Sequence, residues 1–196
     1  MNFLAHAYLS FGHPGLIVGN MISDFVKGSA KFSYPPAIQK GIILHRDIDN
    51  FTDTHAATHK AKQVFRPAYR LYSGAIMDII YDHYLATDEN IFSEKTLKIF
   101  SQHIYECLDN HLAQLPPQFV HAFGYMKTDD WLFHYRERKG IEKSLKGLIR
   151  RAAYLNESDT AFLLFNEHYD FIRECYKEFI EDVKEFAKQK IAGIIS

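Results

Sequence analysis

Toward the C-terminus, Phe162, Phe165, Tyr169, Ile172, Tyr176, Phe179, Val183 and Phe186 recur at alternating steps of three and four residues. That spacing lays apolar side chains along one face of a long amphipathic helix. Its seam packs either inside a bundle or against a second copy of the chain, as a homodimer contact. Pro35-Pro36 suits a helical first turn, where a missing N–H costs nothing, and Ile38, Ile42, Ile48 and Phe51 then roughly track one face. The breakers are short: His13-Pro14-Gly15, Tyr34-Pro35-Pro36, Leu115-Pro116-Pro117 and Asn156-Glu157-Ser158-Asp159, with Ser158 or Asp159 as an N-cap. Sustained two-residue alternation and hairpin dipeptides such as Asn-Gly are missing. The pattern predicts an all-α, single-domain multi-helix bundle over 1–196, with helices near 2–11, 15–28, 36–54, 56–65, 68–86, 92–113, 117–126, 130–154 and 158–192.

Composition narrows the function classes. Lys plus Arg (23) nearly balance Asp plus Glu (24), so the whole molecule has no electrostatic pull toward nucleic acid or anionic lipid. The N-terminal stretch lacks a basic region, and Asn2, His6 and Ser10 interrupt its apolar run, so it reads as neither a signal peptide nor a membrane span. Cys107 and Cys175 follow no metal or redox spacing, which fits a reducing, cytoplasmic setting.

Histidine changes the picture, because six of the eleven precede residue 84 and several stand beside carboxylates in apolar surroundings. Asp78 and Asp82 are four apart in Ala75-Ile76-Met77-Asp78-Ile79-Ile80-Tyr81-Asp82-His83, and so share a helical face. An unpaired ionised carboxylate in such a face costs several kcal/mol, so an Arg, a shared proton or a divalent cation must compensate. His45 and Asp49 repeat the spacing, as do Asn20 and Asp24, and His6 sits among Phe3, Leu4, Ala5 and Leu9. Mixed imidazole and carboxylate donors on facing helices suit Mn²⁺, Fe²⁺ or Zn²⁺. Taken singly, each residue has a plainer reading: His6 as a hydrogen-bonded core histidine, Asn20 as a turn or cap residue, Asp49 as an exposed acid paired with Arg46 or Lys40. His55 lies close enough in sequence to orient His45 from a second layer, whereas the remaining histidines read as surface or packing residues.

At these residues the chain resembles a known family. Met1-Asn2-Phe3-Leu4-Ala5-His6, Gly19-Asn20 with Asp24-Phe25-Val26-Lys27-Gly28, Tyr34-Pro35-Pro36 with Gly41, His45-Arg46, Ile48-Asp49 and Phe51-Thr52-Asp53 are similar to the acyl carrier protein phosphodiesterases. So are Asp82-His83-Tyr84-Leu85, Trp131-Leu132 and Tyr135-Arg136, all in order over residues 1 to about 140. The resemblance implies a fold related to the HD-type metal phosphohydrolases and removal of the 4′-phosphopantetheine arm from holo acyl carrier protein. It also implies a divalent metal, usually manganese. One departure stands out: no His is followed directly by Asp, and the only adjacent pair is reversed, Asp82-His83. Asp24 carries over foremost as a ligand, with His6, His45, Asp49, Asp82 and His83 added where motif and geometry agree.

The chemistry so implied uses Asp24, His45, Asp49, Asp78, Asp82 and His83 as catalytic groups. One carboxylate takes the proton of water and a histidine, His83, assists the departing serine. Asn20, Lys27 and Arg46 are the expected substrate contacts near the phosphate, with Arg46 and above all Lys27 equally able to be surface charges. Lys139, Lys143 and Lys146 lie on one face of a basic segment that would guide an acidic carrier protein or simply face solvent. Two alternatives remain at this point: a phosphohydrolase acting on a nucleotide or other small phosphate ester, and a non-catalytic helical interaction module.

Overall fold

The computed structural model describes residues 1–152, 155 and 157–195. Among these, eleven α-helices and a few 3₁₀ turns make up the regular structure, with no strand. They are α1 (Phe3–Tyr8), α2 (Pro14–Ile22), α3 (Pro36–Thr54), α4 (Ala56–Tyr69), α5 (Ser73–Thr87), α6 (Glu94–Asp109), α7 (Pro117–Thr128), α8 (Trp131–His134), α9 (Arg138–Arg151), α10 (Asp159–Glu167) and α11 (Tyr169–Ile195). One continuous apolar cluster runs from Leu4 and Ile17 through Ile42, Ile48 and Ile80 to Phe165, Phe179 and Val183. Its burial supplies the main driving force for folding. No described helix is long and apolar enough to cross a membrane.

Three proline-led helices begin where the sequence places them, with Pro14, Pro36 and Pro117 in the first turn. The differences lie where tertiary contacts overrule local pattern. The expected 15–28 helix ends at Ile22, and a 3₁₀ turn, Ser23–Phe25, carries Asp24 before Gly28 takes φ +58°. The expected 130–154 helix splits into α8 and α9, because a close approach at Gly140 fixes the bend: an added Cβ would lie 2.0 Å from the His134 carbonyl oxygen. Positions 153–154 lie outside the described residues. The 158–192 helix splits at His168. At its start Ser158 occupies the N-cap position without a side-chain bond, and the Glu157 carboxylate accepts the Thr160 N–H instead, at 2.9 Å. The α11 seam packs within the chain: Ile172, Tyr176, Phe179 and Val183 are buried, and Phe186 stacks on Phe51 with ring centroids 4.5 Å apart.

Helices α2 and α3 make the closest crossing in the fold. Built on Gly19, a Cβ would meet the Ile38 carbonyl oxygen at 2.1 Å and Gly41 Cα at 2.8 Å; built on Gly41, it would meet the Leu16 carbonyl oxygen at 2.6 Å. Only glycine permits two backbones to touch in this way. The crossing sets Asn20, at the end of α2, directly against His45, one turn beyond Gly41.

Candidate metal centre

The site is assembled from three segments that the α2–α3 crossing holds together. On α3, His45 and Asp49 stack one turn apart, with His45 Nε2 3.1 Å from Asp49 Oδ2. Asp24, in the 3₁₀ turn after α2, places Oδ1 3.3 Å from the same nitrogen. From α1, His6 brings its ring parallel to that of His45, with centroids 3.8 Å apart, and its Nε2 lies 3.2 Å from Asp49 Oδ1. The two imidazoles are almost sealed from solvent, whereas the Asp24 side chain is 74% exposed, so the cluster opens outward on that side.

Second-layer bonds orient both histidines. His45 Nδ1 lies 2.7 Å from the Asn20 carbonyl oxygen, an acceptor, which places the proton on Nδ1 and leaves the Nε2 lone pair facing Asp24 and Asp49. The Asn20 amide also donates to the His6 carbonyl at 2.9 Å and to Ser10 Oγ at 3.0 Å, tying α1 to α2. Buried His45 Nε2 and both ring nitrogens of His6 lack a hydrogen-bond partner; the 3.2 Å contact of His6 Nε2 with Asp49 does not have hydrogen-bond alignment. A neutral imidazole that aims a lone pair at a carboxylate is repelled by it, so this arrangement calls for a proton or a cation between them. One donor atom from each of His6, His45 and Asp49 falls within a mutual span of 4.8 Å, and these orphaned nitrogens fit the triad as a holder for a divalent ion.

Without an ion, protons do part of that work. Burial lowers the affinity of His45 for a proton, but Asp24 and Asp49 outweigh it and raise the pKa to about 9. Burial, reinforced by charged His45 against its face, drives His6 down to about 4. Burial would raise the Asp49 carboxyl, yet His45, His6 and the amino terminus hold it well below the usual carboxylate range. Contact with His45 likewise depresses Asp24. Because the folded His45 pKa exceeds the ordinary 6.5, its proton stabilises the metal-free fold fully below pH 6.5, and that contribution is lost as pH rises through about 9. Denaturant titrations of metal-free wild type and His45→Gln should therefore show a stability difference that shrinks across this window. A difference that widens toward pH 9 would contradict the assigned proton.

The structure brings four of the six expected ligands together and leaves two elsewhere. Both oxygens of Asp82 are occupied at the start of α1, accepting N–H groups of Leu4 at 2.8 Å, Ala5 at 3.2 Å and Asn2 at 3.3 Å. Burial pushes its carboxyl up to about 7 against the pull of those donors. His83 has both nitrogens engaged, Nδ1 with the Tyr135 carbonyl at 2.7 Å and Nε2 with the Tyr169 hydroxyl at 2.9 Å, and burial lowers it to about 4. Asp78 stands nearer the cluster, where its Oδ1 accepts from the Met1 ammonium at 2.8 Å; that ammonium also reaches Asp49 Oδ1 at 3.3 Å. Burial opposes the ammonium charge, but Asp78 and Asp49 prevail and raise it to about 10.

Among the remaining expected residues, Asn20 is fully buried, so its side chain serves the scaffold. Arg46 is exposed and donates to the Val26 carbonyl at 3.0 Å, which fixes it beside the turn that carries Asp24. Lys27 is exposed nearby. Lys139, Lys143 and Lys146 project from the outer face of α9, opposite buried Ile141, Leu145 and Ile149, with Lys146 paired to Glu142 at 2.5 Å. His55 caps α4 by accepting the Ala57 N–H and faces Asp182 at 3.1 Å rather than His45. Sequence reasoning passed over the Asn20 carbonyl and the Met1 ammonium, since backbone groups carry no residue signature.

The fold and the cluster define an all-α protein with a two-histidine, carboxylate-rich centre suited to a divalent cation. A family profile described as acyl carrier protein phosphodiesterase matches residues 1–183. Curated proteins named acyl carrier protein phosphodiesterase from Yersinia pestis and Enterobacter sp. (strain 638) are each 31% identical over 97% of this chain and 99% of their own length. One of that name from Photorhabdus laumondii is 30% identical over 97% of this chain and 96% of its own. No solved structure gives a significant match. The chain belongs to the acyl carrier protein phosphodiesterase family.

Proposed function

We propose that this protein hydrolyses the phosphodiester joining 4′-phosphopantetheine to a serine of holo acyl carrier protein, releasing apo carrier protein, with Mn²⁺ as the metal. The observation that carries this reading is the cluster of orphaned, buried imidazole nitrogens around Asp49, open to solvent at Asp24, in a chain of this family. His6, His45 and Asp49 would hold the ion, with Asp24 as the ligand at the mouth. A divalent cation there supplies Lewis-acid polarisation of a phosphoryl oxygen and acidifies water.

The chain's own groups do the rest. Asp24, exposed at the mouth of the cluster, is placed to receive the proton that water loses as it attacks phosphorus. Arg46, anchored at the Val26 carbonyl, sets a fixed positive charge beside the same turn, where a non-bridging phosphate oxygen gains negative charge. The Asn20 carbonyl keeps His45 in the tautomer that presents Nε2. The P–O bond to serine breaks, and the proton that Asp24 takes from water passes to the departing serine oxygen, so the reaction consumes one water.

Purified protein stripped of metal and then resupplied with Mn²⁺ is expected to convert holo to apo carrier protein, read as a 4′-phosphopantetheine mass loss. Conversion that is absent with every divalent ion tried, or that is confined to nucleotides in a parallel panel, would refute this reading.

A further inference from the structure

A second feature lies beside the cluster, in the corner where α4 turns into α5. There Asp53, Lys62, Arg66, Arg70, Leu71 and Asp78 line a cleft of about 380 Å³. Residues of the cleft lie next to those of the metal centre. Asp53 follows His45 and Asp49 at the next i+4 position of α3. Asp78 lines the cleft while its Oδ1 is 2.8 Å from the Met1 ammonium, itself 3.3 Å from Asp49.

Its charges are unevenly matched. Lys62 is paired with Asp53 at 2.6 Å, and Asp78 is taken by the ammonium. Arg66 and Arg70 are exposed, and among the described residues neither guanidinium has an ion-pair partner. At the lip stands Leu71, 95% exposed. Two free guanidinium groups each grip two oxygens of an oxyanion, a carboxylate or a phosphate, and with the scissile phosphate assigned to the metal centre they are left for carboxylates. An exposed leucine beside them gives an apolar contact that a protein surface uses and a small free anion does not.

We propose, resting on the function proposed above, that this cleft is where the carrier protein docks. Arg66 and Arg70 take carboxylates of its surface, and Leu71 takes a neighbouring apolar side chain. The scissile phosphate lies at the serine itself, so the carrier surface around that serine must cover enzyme residues directly beside the metal centre. The corner of α4 and α5 meets that demand, and its cations answer an acidic partner. The departing pantetheine arm bears amides and a hydroxyl but no further charge, so it has no use for two guanidinium groups. Lys139 and Lys143 on α9 are also cationic, but among the described residues no hydrogen bond or ion pair links them to the cluster.

The test measures binding of apo carrier protein, and separately kcat and KM on holo carrier protein, for wild type, Arg66→Glu/Arg70→Glu, Arg70→Gly and Lys143→Glu/Lys146→Glu. Arg70 has φ +47°, a strained value that glycine adopts freely, so Arg70→Gly removes the cation without endangering the fold. The double reversal is expected to weaken binding at least ~10-fold, mainly through KM, and to flatten the salt dependence seen in wild type. Arg70→Gly should weaken it about threefold, and both α4 variants should lose more than the α9 pair. Wild-type affinity in the α4 variants, or the greater loss in the α9 pair, overturns the cleft assignment while leaving the function intact. Wild type that neither binds nor converts carrier protein overturns the functional reading, and the cleft falls with it.

Discussion

Asp49→Ala is expected to abolish stoichiometric divalent-ion binding and to lower kcat/KM on holo carrier protein by more than ~100-fold, since even residues that merely orient a ligand cost about 10- to 100-fold. The Asp49 carboxylate contacts both imidazoles of the cluster and the amino terminus. Its two oxygens face His6 Nε2 at 3.2 Å and His45 Nε2 at 3.1 Å, and one also meets the Met1 ammonium at 3.3 Å. Truncation would leave a stacked pair of imidazoles with one exposed carboxylate, Asp24, to balance any cation. Elemental analysis of the purified variant and a kinetic comparison read the two losses separately. A variant that retains one equivalent of metal and turns over within about threefold of wild type would remove Asp49 from the centre.

The second large effect falls on stability. Asp82→Ala should cost about 3–5 kcal/mol in urea unfolding with an unchanged m-value, because it strands three backbone N–H groups at the start of α1. Asp82 is completely buried and accepts the backbone N–H groups of Asn2, Leu4 and Ala5, which otherwise have no intrahelical partner at the start of α1. Each such group, left dry, costs roughly 1–3 kcal/mol, offset in part because burial already disfavours the Asp82 charge. Because His6 rides on this helix, metal affinity should fall together with stability, and raising the metal concentration should restore binding in part. A loss below about 1 kcal/mol would show that the cap is dispensable.

These two aspartates show where a sequence pattern carries information and where it stops. The i, i+4 spacing of His45 and Asp49 becomes a real convergence because α3 runs unbroken from Pro36 to Thr54, and its start is written in the proline. Asp78 and Asp82 have the same spacing, but they meet the N-terminal segment rather than an ion: one faces the ammonium and the other the N–H groups of α1. What lies opposite a helical face is set by packing, which the local pattern does not encode. Asn20 and Asp24 fail to form a helical pair because α2 ends at Ile22, yet both reach the cluster, one through its carbonyl and the other from a turn. His83, adjacent in sequence to Asp82, points to Tyr135 and Tyr169 since neighbouring helical positions diverge by about 100°. Gly19 and Gly41 were visible as letters, but their role emerges only when two backbones are seen to touch. The apolar seam of α11 is legible from its period, whereas its packing inside the chain and the break at His168 are not.

The glycine contact has a consequence for how the centre is loaded. With no side chain at the Gly19–Gly41 contact, α2 and α3 hold the carbonyl that orients His45 and the ring itself in one tightly packed unit. A cation bound at the proposed centre would meet His45 already oriented by the Asn20 carbonyl, and the cost of ordering that ligand would have been met during folding.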